Sequence, residues 1–130
     1  MTTEQALYSF WSSFGLPAYP EEAVPTGEAE GEEAAEPPYI TYTIVEPEFG
    51  THATGQSRIW YRDNGYEEIA KKKNEVLKAI GKGKLLPAGS GFLCIRPGTP
   101  PAQYLPFSEM PEIKVCYLNL QMDAYAMNGE

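Results

Sequence analysis

Residues 57–80 read Ser57-Arg58-Ile59-Trp60-Tyr61-Arg62-Asp63-Asn64-Gly65-Tyr66-Glu67-Glu68-Ile69-Ala70-Lys71-Lys72-Lys73-Asn74-Glu75-Val76-Leu77-Lys78-Ala79-Ile80, and the side-chain period changes inside this stretch. Up to Arg62 the period is that of a strand, with Ser57, Ile59 and Tyr61 on one face and Arg58, Trp60 and Arg62 on the other. Asp63-Asn64-Gly65 ends the strand with turn-forming residues. From Tyr66 the spacing of Ile69, Lys73, Val76, Leu77 and Ile80 is helical, and Ala70 and Ala79 are strong helix formers. Asn64 is the expected N-cap, with Glu67 three residues on completing a capping box. Glu67 and Glu68 then sit at the positive end of the helix, Lys78 and Lys82 lie at or beyond its negative end, and Gly81 stops it. A strand passing directly into an amphipathic helix predicts a sheet with one helix-covered face.

The flanking segments extend this pattern. Upstream, Thr2 and Gln5 form a second capping box, and Leu7, Phe10, Trp11 and Phe14 make one apolar stripe. Gly15 and Pro17 close a helix over about residues 3–14, too short to be stable without a sheet beneath it. Tyr39-Ile40-Thr41-Tyr42-Thr43-Ile44-Val45 is rich in β-branched and aromatic residues and reads as a strand. It is joined through a loop over 46–55 to the strand at 57–62. Downstream, residues 92–96 predict a short strand, Gly98-Thr99-Pro100-Pro101 a turn, and 103–107 an edge strand, because Pro106 would break a central ladder. Residues 113–126 predict the longest strand. Cys116, Leu118, Leu120, Met122 and Ala124 lie on its apolar face, and Asn119, Gln121 and Asp123 on the wet one. The expectation is a single α+β domain over 1–130. Its sheet is mixed and mostly antiparallel, packed by two helices in the order α-β-β-α-β-(β)-β.

The charge divides the chain. Residues 1–57 hold ten Glu and no Lys or Arg, whereas 58–130 hold ten basic and eight acidic residues. Between about residues 18 and 37, seven Glu alternate with Pro, Gly and Ala. Low hydrophobicity and high charge predict a loop outside the core there. An acidic domain is not a nucleic-acid surface. No apolar run approaches the ~20 residues of a membrane helix, and the start lacks the pattern of a signal peptide. A cytosolic, reducing origin is therefore expected. Cys94 and Cys116 then read as buried thiols, although spacing alone also permits a disulfide.

No catalytic set emerges. His52 stands in a loop without a ligand at metal spacing. Gly81-Lys82-Gly83-Lys84 follows a helix, whereas a phosphate cradle precedes one. Neither cysteine has a nearby histidine to activate it. The expectation is a non-enzymatic protein without cofactor or metal, whose work is to meet other proteins. Aromatic residues and Arg are the usual interface anchors, which selects Tyr39, Arg58, Trp60, Tyr61 and Arg62. Trp60 could equally lie under a helix. Lys71 and Lys72 of the basic run, and Glu28, Glu30, Glu32 and Glu33 of the acidic loop, are the candidates for charge pairing between neighbouring copies.

In element order and length, with Pro38-Tyr39-Ile40-Thr41-Tyr42 opening the first strand and Ser57–Tyr61 leading into the 66–80 helix, the chain resembles the tail terminator, or tail completion, proteins of long-tailed bacteriophages. The amphipathic opening helix fits as well, and the likeness spans all but about residues 20–37. The resemblance implies a virion protein made in the host cytoplasm and a homo-oligomeric ring, usually hexameric. That ring caps the tail tube and joins it to the head connector, and its subunits are commonly monomeric until they meet the tube. Other neck or tail-tube components, and a bacterial protein-binding adaptor, are the alternatives. The family offers no motif sharp enough to carry site residues over.

Overall fold

Thr2 opens the first helix as the pattern requires. Its Oγ1 accepts the Gln5 N–H at 3.1 Å, and Gln5 Oε1 accepts the Thr2 N–H at 2.9 Å. In the computed structural model, which describes residues 2–28, 30–44, 52–89, 91–106 and 110–126, this helix, α1, spans Thr3–Ser12, and α2 spans Glu67–Ile80. The strands are β1 (Ala18–Pro20), β2 (Tyr39–Tyr42), β3 (His52–Arg62), β4 (Lys84–Ala88), β5 (Gly91–Pro106) and β6 (Ile113–Ala126). They form one sheet in the order β1-β2-β3-β6-β5-β4. Among the described residues only the β1–β2 pair is parallel. The chain is thus α+β, with a mixed, mostly antiparallel sheet and two helices.

Alternation decides which face the helices cover. Ile40 and Tyr42 of β2, Ile59 of β3, Leu93 and Ile95 of β5 and Leu118, Leu120 and Met122 of β6 share a face and are buried. They pack with Leu7, Phe10 and Trp11 of α1 and Ile69, Val76 and Ile80 of α2. Each such side chain contributes roughly 1.5–3 kcal/mol on burial. Trp11 lies nearly parallel to the Tyr42 ring, centroids 6.3 Å apart, and meets Phe10 edge-on at 4.9 Å. Its indole N–H is buried without an acceptor among the described residues. Lys72 Nζ donates to the Phe14 carbonyl at 2.7 Å, tying α2 to the exit of α1.

α1 touches β1 and β2 at one end of the strand order and β4 at the other. One short helix can reach both ends only if the sheet curls until its edges flank it. α1 therefore closes an otherwise open barrel, which is one way to protect sheet edges.

Several sequence expectations are corrected. Asn64 does not cap α2: the helix starts two residues later than a box on Asn64 requires, Tyr66 holds the cap position without a side-chain bond, and the Asn64 N–H is taken by Asp63 Oδ1 at 2.7 Å. β3 begins at His52, so His52–Gly55 is strand and not loop, because it has all of 120–123 on β6 to pair with. Residues 98–101 are no free turn. They form an irregularity inside β5, which is longer than β6 at 16 residues against 14. β1 and β4 were not expected, being short, proline-bearing edge strands whose pairing is set by distant partners. Val45, the segment 46–51 and Phe107 lie outside the described residues.

The acidic segment is also more ordered than its composition suggests. A 3-10 turn over Glu21–Ala23 follows β1. The Ala35 N–H donates to the Pro25 carbonyl at 2.9 Å, closing the excursion at its neck. Glu32 Oε1 accepts the Thr26 and Gly27 N–H groups at 2.9 and 3.1 Å.

Candidate interaction surface

The sheet face opposite the helices is built by the alternate residues. Thr54, Gln56, Arg58 and Trp60 of β3 stand beside Gln121, Asn119, Tyr117 and Val115 of β6, with Tyr39 and Thr41 of β2 next to Trp60 and Arg58. α1 and α2 pack on the other face, and on this one Glu21 of the 3-10 turn reaches Thr41 and Arg58. This face divides into an aromatic end and an amide end.

At the aromatic end Tyr39 stacks on Trp60, centroids 5.8 Å apart at 22°, and Tyr19 meets Tyr39 edge-on at 5.8 Å. Trp60 Nε1 donates to Thr41 Oγ1 at 3.2 Å, and Thr41 Oγ1 donates to Glu21 Oε1 at 3.0 Å. The Arg58 guanidinium lies 4.6 Å from the centre of the Tyr117 ring. Its Nε is 3.5 Å from Glu21 Oε1, close enough to balance charge but not aligned for a hydrogen bond. The cluster is therefore held by contacts from β1, β2, β6 and the 3-10 turn. Burial, followed by the neighbouring Tyr19 and the Glu21 and Glu36 carboxylates, raises the pKa of the Tyr39 hydroxyl. Tyr39 is thus a neutral donor throughout the physiological range.

At the amide end lies an open cavity of about 550 Å³. Thr43, Thr54, Gln56, Thr99, Asn119 and Gln121 supply its polar groups, and Pro97, Gly98 and Leu120 complete it. The irregularity of β5 builds one wall. Asn119 Nδ2 holds the Pro100 carbonyl at 2.8 Å. A side chain at Gly98 would come within 2.9 Å of the Asn119 backbone, so only glycine permits this approach.

Of the residues selected from sequence, Tyr39, Arg58 and Trp60 come together here. Tyr61 does not: it faces the helices and packs against the core, where burial and then Glu68 and Glu75 raise its pKa. Arg62 is engaged within the chain by Glu112 at 3.2 Å and Glu36 at 3.8 Å. Lys71 pairs with Glu67 and Glu68 on its own helix. Lys72 is spent on Phe14 and Glu75. Glu28, Glu30 and Glu33 are exposed, and Glu32 is exposed while closing its own turn. The acidic and basic halves thus meet within one chain, through Glu21 with Arg58 and Glu36 with Arg62. Sequence reasoning missed Glu21, Thr41 and Tyr117. Tyr117 had a signal, since it shares the alternation of Asn119 and Gln121.

Cys94 and Cys116 are both buried free thiols. Burial pushes the pKa of Cys116 up to about 11, which removes its nucleophilicity at neutral pH. Among the described residues no group of His, Cys, Asp and Glu could hold a metal ion, and no helix is long and apolar enough to cross a membrane. No family model, curated protein or solved structure matches the chain.

Proposed function

We propose that the chain is a structural subunit of a long-tailed phage particle, a tail terminator that forms a ring on the tail tube and joins it to the head connector. The observation that supports this reading is the pre-organised Tyr39–Trp60–Arg58–Tyr117 cluster on the sheet face away from α1 and α2. Its composition is that of an interface core, and its side chains have little rotamer freedom left to lose on association. The sheet edges favour face contacts over strand addition. β1 carries Pro20, β4 carries Pro87, and the part of β5 beyond β4 carries Pro97, Pro100 and Pro101, all of which lack the N–H a new strand would need. In this reading the α-β-β-α-β-β order is the working frame, and β1 and β4 seal it against α1. Lys78, Lys82 and Lys84 on one side and Glu28, Glu30 and Glu33 on the other have no ion pair among the described residues, which leaves them for charge contacts between ring neighbours.

The test mixes the purified protein with tail tubes at low and high salt and images the tube ends. A closed ring at one end is the expected result, because a heterologous contact that failed to close would grow filaments. At 1 M salt, where the Debye length is about 3 Å, the ring should be weakened. Filaments of this protein alone would move the assignment to a tube component. No association with tubes at either salt would reject the tail reading.

A further inference from the structure

The amide end of the outer face has a chemistry that ring contacts do not need. Its cavity of about 550 Å³ falls in the roughly 300–1,000 Å³ range of small-molecule sites. Gln56, Asn119 and Gln121 converge on it from two neighbouring strands, with the hydroxyls of Thr43, Thr54 and Thr99 at its margin. None of its lining residues is ionisable. Asp123, which Gln121 meets, is already matched by Arg96 Nε at 2.9 Å.

Much of the hydrogen-bonding capacity here is unspent. Gln56 Nε2 and Asn119 Oδ1 meet only at 3.4 Å, as do Gln121 Nε2 and Asp123 Oδ1. Among the described residues the Oε1 atoms of Gln56 and Gln121 accept no hydrogen bond, and the hydroxyls of Thr54 and Thr99 have no partner. The irregularity of β5 places Thr99 at the cavity, the kind of re-aiming that strand bulges perform beside binding sites.

These facts select the ligand. A charged molecule would lose hydration without gaining a counter-charge. An apolar one would strand the amides, at a cost per group comparable to a lost hydrogen bond. A neutral, hydrogen-bond-rich ligand remains. A peptide main chain is normally read by the backbone of an open strand edge, whereas this cavity presents side-chain amides from a sheet face. Paired donors and acceptors on neighbouring strands suit the vicinal hydroxyls of a sugar. We propose that the Gln56–Asn119–Gln121 cavity is a binding site for neutral carbohydrate, separate from the assembly surface at Trp60.

The experiment titrates the intact, ¹⁵N-labelled protein with neutral oligosaccharides of glucose and of N-acetylglucosamine, at low and at high salt. Saturable shifts confined to residues around 54–56, 97–99 and 119–121, with a Kd unchanged by salt, are expected from at least one of the two. Gln121→Ala, an exposed change outside the core, should weaken binding about five-fold, in line with one lost hydrogen bond. Gln56→Ala should do the same if it folds. The proposal is overturned if neither sugar gives saturable shifts at millimolar concentration, or if Gln121→Ala binds as the parent does. It is equally overturned if a blocked neutral dipeptide binds the cavity more tightly than either sugar. Ring formation on tail tubes by Gln121→Ala is scored separately, so this proposal and the assembly reading can fail independently.

Discussion

Among the described residues Trp60 makes the stack on Tyr39 and the N–H bond to Thr41. Trp60→Ala should cost about 1–2 kcal/mol in denaturant unfolding, from an aromatic pair and a modest hydrogen bond. Under the proposed assembly role it should also abolish capture on tail tubes. Trp60→Phe keeps a ring for the stack and should retain most of both, and loss of tube capture in Trp60→Phe as well would put the weight on the hydrogen bond. Cys116 makes a separate test. Its thiol is pushed up to about 11 from an ordinary 9.0. The folded chain therefore keeps its proton where the unfolded chain releases it. The resulting stability is complete below pH 9 and declines as pH rises toward 11, by an amount on the order of 1–3 kcal/mol. Urea unfolding at pH 8 and pH 10.5 should show this loss, and Cys116→Ala should flatten it while lowering stability at both values.

The acidic excursion is anchored at its ends. Pro25 and Ala35 are already bridged by a backbone bond. Replacing residues 27–33 with a short Gly-Ser link should therefore move the melting temperature by no more than about 2 °C. Glu21→Ala should do more harm, because it leaves Thr41 without its acceptor and Arg58 without its counter-charge. A large drop from the excision would show that the middle is packed. The excursion also marks where sequence was legible. α1, α2, β2, β6 and the core half of β3 are written in periodicity, because each buries a full apolar stripe or face. Alternation separates Trp60 from Ile59, but which of the two faces the helices cover was open in the sequence and follows from the packing of Ile59 with α1 and α2. β1, β4 and the irregularity of β5 are not so written: three or five residues carry too little pattern, and their pairing depends on partners far along the chain. The amide cavity was hidden for a related reason, since Gln56, Thr99 and Asn119 meet only through the register of three strands. Glu21 looked like one more residue of an acidic run until the 3-10 turn placed it over Arg58.

On the scale of the whole molecule, α1 is the closing piece of the curled sheet. Removing residues 2–14 should uncover the core face of β2 and β4 together, and the truncated protein should bind a hydrophobic dye and aggregate during size-exclusion chromatography. A monomeric, dye-negative truncation would show that the sheet closes without the helix. This closure has a consequence for the order of folding. α1 is made before every strand, yet its far partner β4 is not complete until residue 88. The α1–β4 contact joins segments more than seventy residues apart, so its loop-closure entropy is best met after the hairpins have formed. Docking of α1 on β4 should be a late event, beyond the rate-limiting barrier. Leu86→Ala should then speed unfolding while leaving the refolding rate nearly unchanged, whereas Ile59→Ala in the central strand should slow refolding as well. Stopped-flow chevrons of the two variants decide this, and equal slowing of refolding in both would place the helix in the nucleus. A closure made after the barrier would also open ahead of the sheet, and α1 would then be a latch whose release leaves the strand pairing intact.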